Sequence, residues 1–366
     1  MPLNNKINLR KNMKKLLLIF IGIIIVGLIG FLVYQGYQLL NPEKKQAKQL
    51  EKLRVQAGWL LNGEFANICS AIVNGYYEDE GLDVELIPGG PAGASFIIAT
   101  NAVAGDRNLD IAIDGDIIPL LRGVTKESKT EQLKMRAFAA FWNENPFGFI
   151  VRKDSGITSL KDFALKRKSD GSKIKVGITA DSVIQYAIAD YAGVSVEDLD
   201  LTIVGYDASS FLAGQVDALA AYWTTQAYEV EKAGIDYTFL SASELPGFSQ
   251  PSMVAIARDE VLKNKADQLT RWLKATIKGS EFVTKNPEEA ARQILDPRCG
   301  GPNFEVAQEK WLIEKSIPLF DKEKIGWIYK DQILNFAKAY KNLNQIPRVP
   351  KESELLDYSI LNRIYK

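Results

Sequence analysis

The sequence predicts an α/β protein of two lobes, each built on a parallel-rich sheet, joined by a hinge that the chain crosses twice. Three observations carry this expectation. Short apolar runs of strand length alternate with amphipathic helical runs from Leu53 to about residue 257, the pattern of parallel strands with crossover helices. The alternation breaks at Asn143-Glu144-Asn145-Pro146 and resumes at Phe147, then breaks again near Gln250 before Ser252 to Ala257. Each break marks a crossing between lobes. A chain of 366 residues is long enough for two such domains.

The first lobe opens with a strand, Leu53 to Trp59, whose Leu53, Val55 and Ala57 share one face. Gly58 to Gly63 turns the chain. Glu64 to Tyr77 has Phe65, Ile68, Ile72, Val73 and Tyr76 at helical spacing. Gly75 and Gly81 suit its exit. A strand follows at Asp83 to Ile87 and ends in Pro88-Gly89-Gly90. Ala94 to Ala104 is expected as a helix of small residues, Leu109 to Ile113 as a strand, Ile117 to Arg122 as a short helix and Met135 to Trp142 as a strand.

The second lobe starts at the strand Phe147 to Val151. Ser159 is positioned to cap a helix, with Asp162 at the capping-box position. Strands are expected at 174–178, 201–204, 216–221 and 237–240, with helices between them, among them 183–191 and one ending at Gly234. After Arg258 the pattern is helical: Ala266 to Val283, Pro287 to Leu295, Phe304 to Ser316 and Gly326 to Leu343. Asn286-Pro287 is a helix start with proline at the first helical position.

The N-terminus adds a separate expectation. Lys6, Arg10, Lys11, Lys14 and Lys15 precede the unbroken apolar run Leu16 to Val33, with Tyr34 and Tyr37 after it. A run of about 18–20 apolar residues spans a bilayer, and charge before it favours a cytoplasmic N-terminus. No A-x-A cleavage site follows, and no cysteine is placed for lipidation. The division expected is therefore 1–15 cytoplasmic, 16–40 an uncleaved transmembrane signal anchor, 41–52 a polar spacer, 53–145 first lobe, 146–250 second lobe, and 251–366 the return to the first lobe with C-terminal helices. The globular part lies outside the cytoplasm.

Composition removes several chemistries. There is no histidine, so His-based general bases, Ser-His or Cys-His pairs and His-ligated metals are excluded. Cys69 and Cys299 form no CxxC pattern, which argues against zinc or iron–sulfur; they are two buried thiols or one disulfide. Lys plus Arg equals Asp plus Glu at 45 each, so nothing favours nucleic acid. No cofactor, metal or catalytic residue is expected.

Loops at the carboxyl ends of strands form the ligand crevice of α/β sheets. Five should converge: 58–62, 88–90, 114–116, 179–182 and 222–226. Trp59 beside Gly58 is suited to stack on a flat ligand. Trp142 suits either a ligand or the core. Of Tyr222 and Trp223, strand alternation sends one to the cleft, and Tyr222 is preferred. Asn62, Thr179, Thr225 and Gln226 are hydrogen-bonding groups at helix starts, where capping is the competing role. Gly89 and Gly90 expose backbone N–H groups that suit an anion. Asp114 is placed to cap a helix or accept from an amino group. None of the five loops holds Lys or Arg, so aromatic and acidic content favours a flat, neutral or amino-bearing heterocycle.

GYYEDEGLDVELIPGG, residues 75–90 after the strand and Trp59, resembles the opening of the solute-binding proteins of ABC importers in the nitrate/sulfonate/taurine and thiamine-pyrimidine-precursor class. The likeness continues to about Asn286. It implies a type II periplasmic-binding-protein fold, closing around a small solute and delivering it to a permease and an ATPase. Val204 to Gly234, VGYDASSFLAGQVDALAAYWTTQAYEVEKAG, resembles the second-lobe signature of the pyrimidine-precursor receptors and marks Tyr222, Thr225 and Gln226 as contacts. Such receptors are expected to carry a Glu near this turn, where this chain has Thr225 and Gln226. The resemblance implies a non-enzymatic receptor for a thiamine pyrimidine precursor, with a sulfonate, taurine or nitrate receptor as the alternative. A pyrimidine-forming enzyme, which the resemblance expects to use a histidine and a cysteine cluster, and a sensory ectodomain are readings of another class.

Overall fold

The computed structural model describes residues 28, 30, 31, 49–92, 95–180 and 182–365. The expected anchor and spacer therefore lie outside the described residues, apart from the helical positions 28, 30 and 31 of the anchor and residues 49–52 of the spacer, of which Glu51 and Lys52 already belong to the first strand. Among the described residues, no helix is long and apolar enough to cross a membrane. Residues 50–366 form one compact unit.

Its strands, in chain order, are β1 (Glu51–Ala57), β2 (Leu82–Ile87), β3 (Gly90–Ala92), β4 (Ser95–Ile97), β5 (Ile111–Asp114), β6 (Met135–Trp142), β7 (Phe147–Arg152), β8 (Lys175–Ile178), β9 (Asp200–Ile203), β10 (Ala218–Tyr222), β11 (Tyr237–Ser241) and β12 (Ser252–Arg258). Two five-stranded sheets result, in orders β2-β1-β5-β12-β6 and β11-β7-β10-β8-β9, with β3-β4 as a separate ribbon.

Both sheets are mixed. The β2-β1-β5 and β10-β8-β9 portions are parallel. The strands that enter or return across the break, β7 and β12, pair antiparallel to both neighbours. A chain arriving from the other sheet enters from the opposite end, so each crossing reverses strand direction. The two crossings touch: Asn145 N donates to Gln250 O at 2.9 Å. Met253, just inside β12, holds φ at +51°, a left-handed backbone that costs a non-glycine residue on the order of 1 kcal/mol.

Local structure departs from the periodicity in three places. Glu64 to Tyr77 is a 3₁₀ turn at Gly63–Phe65, a helix at Ala66–Val73 and a second at Tyr76–Asp79. Gly75, at φ +71°, ends the first as a left-handed residue. The helix expected from Ala94 begins at Ala99 instead, because 95–97 pair as β4 and Asp114 caps the N–H groups of Ala99 and Thr100. The helix expected from Gly326 starts at Lys330, since Gly326 O accepts from Ala140 N at 3.0 Å and covers the edge of β6.

The core explains the rest. Leu53, Val55 and Ala57 of β1 are fully buried. Trp272, on the helix Ala266–Lys285, lies 5.8 Å from Phe138 and 6.0 Å from Phe141 by ring centroid. The same helix packs on Ala66–Val73, where a Cβ at Gly279 would fall 2.0 Å from Asn67 O.

Candidate functional site

Between the two sheets lies a cavity of about 550 Å³, lined from both sides of the crossing. Six expected site residues line it: Trp59, Asp114, Thr179, Tyr222, Thr225 and Gln226. Four do not.

The turn after β1 supplies Trp59 because Gly58 passes close under β5, donating to Ile113 O at 2.8 Å. A Cβ at Gly58 would lie 2.8 Å from Asp114 Oδ1. The Trp59 ring, half-buried, meets Tyr206 edge-on at 5.7 Å. On the facing wall Tyr222 sits 5.7 Å from Phe147 by ring centroid. Four aromatic rings thus line the cavity, Trp59 from the first sheet's side and Phe147, Tyr206 and Tyr222 from the second's. Burial pushes the Tyr222 hydroxyl well up, and the Asp116 charge adds to this while Asn145 opposes it by a hydrogen bond.

Glu64 is the group that sequence reasoning did not single out, because it reads as a surface position of a helix. Its Oε1 accepts from Thr224 Oγ1 at 3.2 Å and Thr225 Oγ1 at 3.1 Å. The carboxyl therefore leaves the first sheet's turn and meets the second sheet's turn. Burial pushes it up to about 7, with the two hydroxyls acting the other way. Oε2 has no hydrogen-bond partner among the described residues, and the side chain lines the cavity.

Other polar residues serve the scaffold. Asp114 accepts from Ala99 N at 3.0 Å and from the Thr100 backbone and hydroxyl, so both its oxygens cap a helix. Burial pushes its carboxyl up. Gln226 accepts from Tyr222 N at 2.8 Å and donates to Tyr206 O at 2.7 Å, bracing the two tyrosine loops. Thr179 is half-buried at the end of β8. Residue 181 lies outside the described residues.

Four expected contacts stand elsewhere. Asn62 is buried and caps its own 3₁₀ turn, accepting from Glu64 N at 3.1 Å. Gly89 supports the Trp59 turn by donating to Trp59 O at 2.9 Å, and a Cβ there would lie 2.1 Å from Ala57 O. Gly90, at φ +83°, packs on Leu60. Both glycines answer a close backbone approach rather than facing the cavity. Trp142 is 1% exposed, opposite Ser252 in the sheet and bridged through its backbone to Phe320 on the other edge of β6. Trp223 packs on Phe239 at 6.2 Å, away from the cavity that Tyr222 lines.

A match to the NMT1/THI5-like family model runs over residues 62–290. The chain belongs to the NMT1/THI5-like family. Among relatives of this NMT1/THI5-like chain, a formylaminopyrimidine-binding protein of Halalkalibacterium halodurans is 24% identical over 264 residues, covering 71% of this chain and 74% of the relative. A 4-amino-5-hydroxymethyl-2-methylpyrimidine phosphate synthase of Legionella pneumophila is 21% identical over 295 residues, covering 78% and 86%. The periplasmic nitrate-binding protein NrtA of Synechocystis PCC 6803 shares the fold at TM-score 0.63 and 12% identity, covering 86% of this chain and 88% of its own. The NMT1/THI5-like chain therefore has the periplasmic-binding-protein fold, with relatives named both as binders and as synthases.

Proposed function

We propose that this chain is an extracytoplasmic substrate-binding protein of an ABC importer, closing two lobes, 53–145 with 251–366 and 146–250, around a flat amino-bearing heterocycle such as a thiamine pyrimidine precursor. Hinge closure is the usual motion of two α/β lobes joined by two crossings. A permease and an ATPase receive the solute, and the apolar run Leu16 to Val33 tethers the protein to the membrane. Trp59 and Tyr222 hold the ring by stacking, with Thr179, Thr225 and Gln226 shaping the polar edge.

One observation carries the choice of ligand. The cavity that the aromatic rings line also carries the Glu64 carboxyl, with the exposed Arg122 and Lys126 among its other lining residues. A carboxyl beside stacked rings fits an N–H donor on a flat ligand better than a sulfonate or nitrate. The chain has no histidine, and both cysteines are buried, which favours binding over catalysis. The synthase relative supports the competing reading of an enzyme.

The test is a thermal-shift screen of the purified protein against aminopyrimidines, thiamine, riboflavin, taurine, alkanesulfonates and nitrate. A ligand at 100 times its Kd stabilises by about 2.7 kcal/mol. A shift with aminopyrimidines and none with the small anions is expected. The reverse order overturns the heterocycle reading, and turnover of a bound pyrimidine overturns the non-enzymatic one.

A further inference from the structure

The Glu64–Thr225 contact is flanked by a second contact between the two lobes, made by side chains that do not line the cavity. One partner is the helix Val306–Ser316, which lies beyond the 62–290 span of the family match. Its buried face, Glu309, Leu312, Ile313 and Ser316, seats it on the first lobe. There Glu309 accepts from Gly63 N at 2.5 Å, and a Cβ on Gly63 would lie 3.0 Å from Ile313 Cγ1. Trp311 and Lys315, four residues apart, share a different face of that helix. The other partner is the second lobe's helix Gln226–Lys232. Its Ala227 and Val230 are buried in that lobe's own core, which leaves Tyr228, Glu231 and Lys232 on its outer side at spacings of three and four.

The two outer faces meet. The Trp311 ring lies 5.4 Å from that of Tyr228 by centroid and packs against the second lobe's core cluster, which includes Ile150, Leu219, Ala227 and Val230. Its Nε1 donates to Glu231 Oε2 at 2.9 Å. The Tyr237 hydroxyl donates to Glu231 Oε1 at 2.9 Å and fixes that carboxylate from its own lobe. Lys315 Nζ stands 3.6 Å from Glu231 Oε1 and 5.1 Å from the Trp311 ring centroid. Lys232 Nζ reaches Glu305 at 3.7 Å. The ion pairs face water, where each adds little. Trp311 is the anchor, a first-lobe side chain set against the second lobe's apolar core.

We propose that Trp311, Tyr228 and Glu231 form a clasp that holds the two lobes closed, with Trp311 as a positioning residue for the site. It rests on the reading above that the lobes close around a solute. The helices that carry the clasp also hold the two sides of the Glu64–Thr225 contact. Glu309 fixes Gly63, next to Glu64, and Thr225 immediately precedes Gln226–Lys232. Parting the clasp therefore draws Glu64 away from Thr225 and opens the polar side of the cavity. The clasp sets how much of the protein is closed. The apparent affinity for a solute that binds the closed form falls with that fraction.

Double electron–electron resonance on the full chain tests this, with spin labels at Asp83→Cys in the first lobe and Asp190→Cys in the second. Both positions are exposed, and the native cysteines are buried. The wild type should show one short distance. Trp311→Ala should raise the open-to-closed ratio at least about tenfold, the size of one aromatic pair with its hydrogen bond. Lys315→Glu sets a carboxylate against Glu231 and should raise it about threefold; it keeps the test valid if the tryptophan variant fails to fold. Ile313→Val, on the first-lobe face of the same helix, should lower Tm and leave the distances unchanged. Unchanged distances in Trp311→Ala, or opening in Ile313→Val equal to it, overturn the clasp. Adding 4-amino-5-hydroxymethyl-2-methylpyrimidine separates the clasp from the reading it rests on. An open wild type that the pyrimidine closes, with the variants no different, overturns the clasp and keeps lobe closure. Opening in the variants with no response to the pyrimidine supports the clasp and counts against that ligand.

Discussion

Glu64 and Thr225 meet across the cleft, with Thr225 Oγ1 donating to Glu64 Oε1 at 3.1 Å. A second carboxyl stands behind this contact. Glu309, on the helix Val306–Ser316, accepts from Gly63 N at 2.5 Å. It is fully buried, and its Oε1 has no hydrogen-bond partner among the described residues. Burial pushes Glu309 up to about 7, and the nearby Glu64 charge adds to this. The turn at residues 63–64 therefore meets two carboxyls, its own Glu64 and the Glu309 that accepts from Gly63 N, both pushed up by burial.

The pH dependence of stability follows in sign. A carboxyl raised in the folded state keeps a proton that the unfolded chain has already released. Stability contributed by Glu64 and Glu309 is present below about pH 4.5 and lost as pH rises toward 7. Asp321, held down to about 2 chiefly by the Tyr329 hydroxyl against the cost of burial, titrates below this window. Tm is expected to fall between pH 5 and pH 8, with Glu309 worth on the order of 1–3 kcal/mol. Glu309→Gln keeps an acceptor for Gly63 N–H and should flatten the profile. An identical slope in that variant would show that the titrating groups are others.

Three aromatic residues at strand ends separate into two roles. Trp59→Ala and Tyr222→Ala are expected to weaken ligand binding by roughly tenfold each while the protein still folds, since both line the cavity. Trp142→Ala is expected to cost about 3–5 kcal/mol in denaturant unfolding, because Trp142 is 1% exposed. Its folded fraction should retain wild-type affinity. Loss of affinity in Trp142→Ala at equal folded fraction would return that residue to the binding site.

Gly279 tests the packing of the long helix. Alanine has the better helix propensity by about 1 kcal/mol, yet a Cβ there would meet Asn67 O at 2.0 Å. The clash is with backbone, which has no rotamer to escape by. Gly279→Ala is expected to lower stability by about 1–3 kcal/mol net, read as a lower urea midpoint. A raised midpoint would mean that the two helices separate at little cost.

Cys69 and Cys299 are both buried and free. Burial pushes the Cys69 thiol well up, and its neighbour Cys299 adds to this. The thiolate is the reactive form, so Ellman's reagent should leave both thiols untouched in the native protein and titrate two after unfolding. Fast labelling of the native state would indicate local opening around the helix Ala66–Val73.

Much of the cleft was legible in order and much of its chemistry was not. Trp59 and Tyr222 were placed at the cavity wall, where both stand, because a strand end is a local property, visible as alternation that stops at a large aromatic. Trp142 has the same signature and a different fate: it is buried, on a strand whose outer edge pairs with the returning residues 320–326. Gly89 and Asn62 looked like ligand contacts since their backbone and side-chain groups face a helix start; they are used by their own turns. Glu64 gave no signal, for its partners Thr224 and Thr225 lie 160 and 161 residues away.

The sequence by itself determined the α/β class, the order of the ten strands of the two large sheets though not the β3-β4 ribbon, the two breaks between sheets and the family, because hydrophobic period and local motifs are properties of contiguous residues. Only the tertiary structure decided that Glu64 faces Thr225, that Asp114 is consumed by a helix cap, and that Trp142 is buried away from the cavity. Those contacts join residues on separate elements, and the distance between such residues is set by how the sheets and helices pack, which no local period encodes.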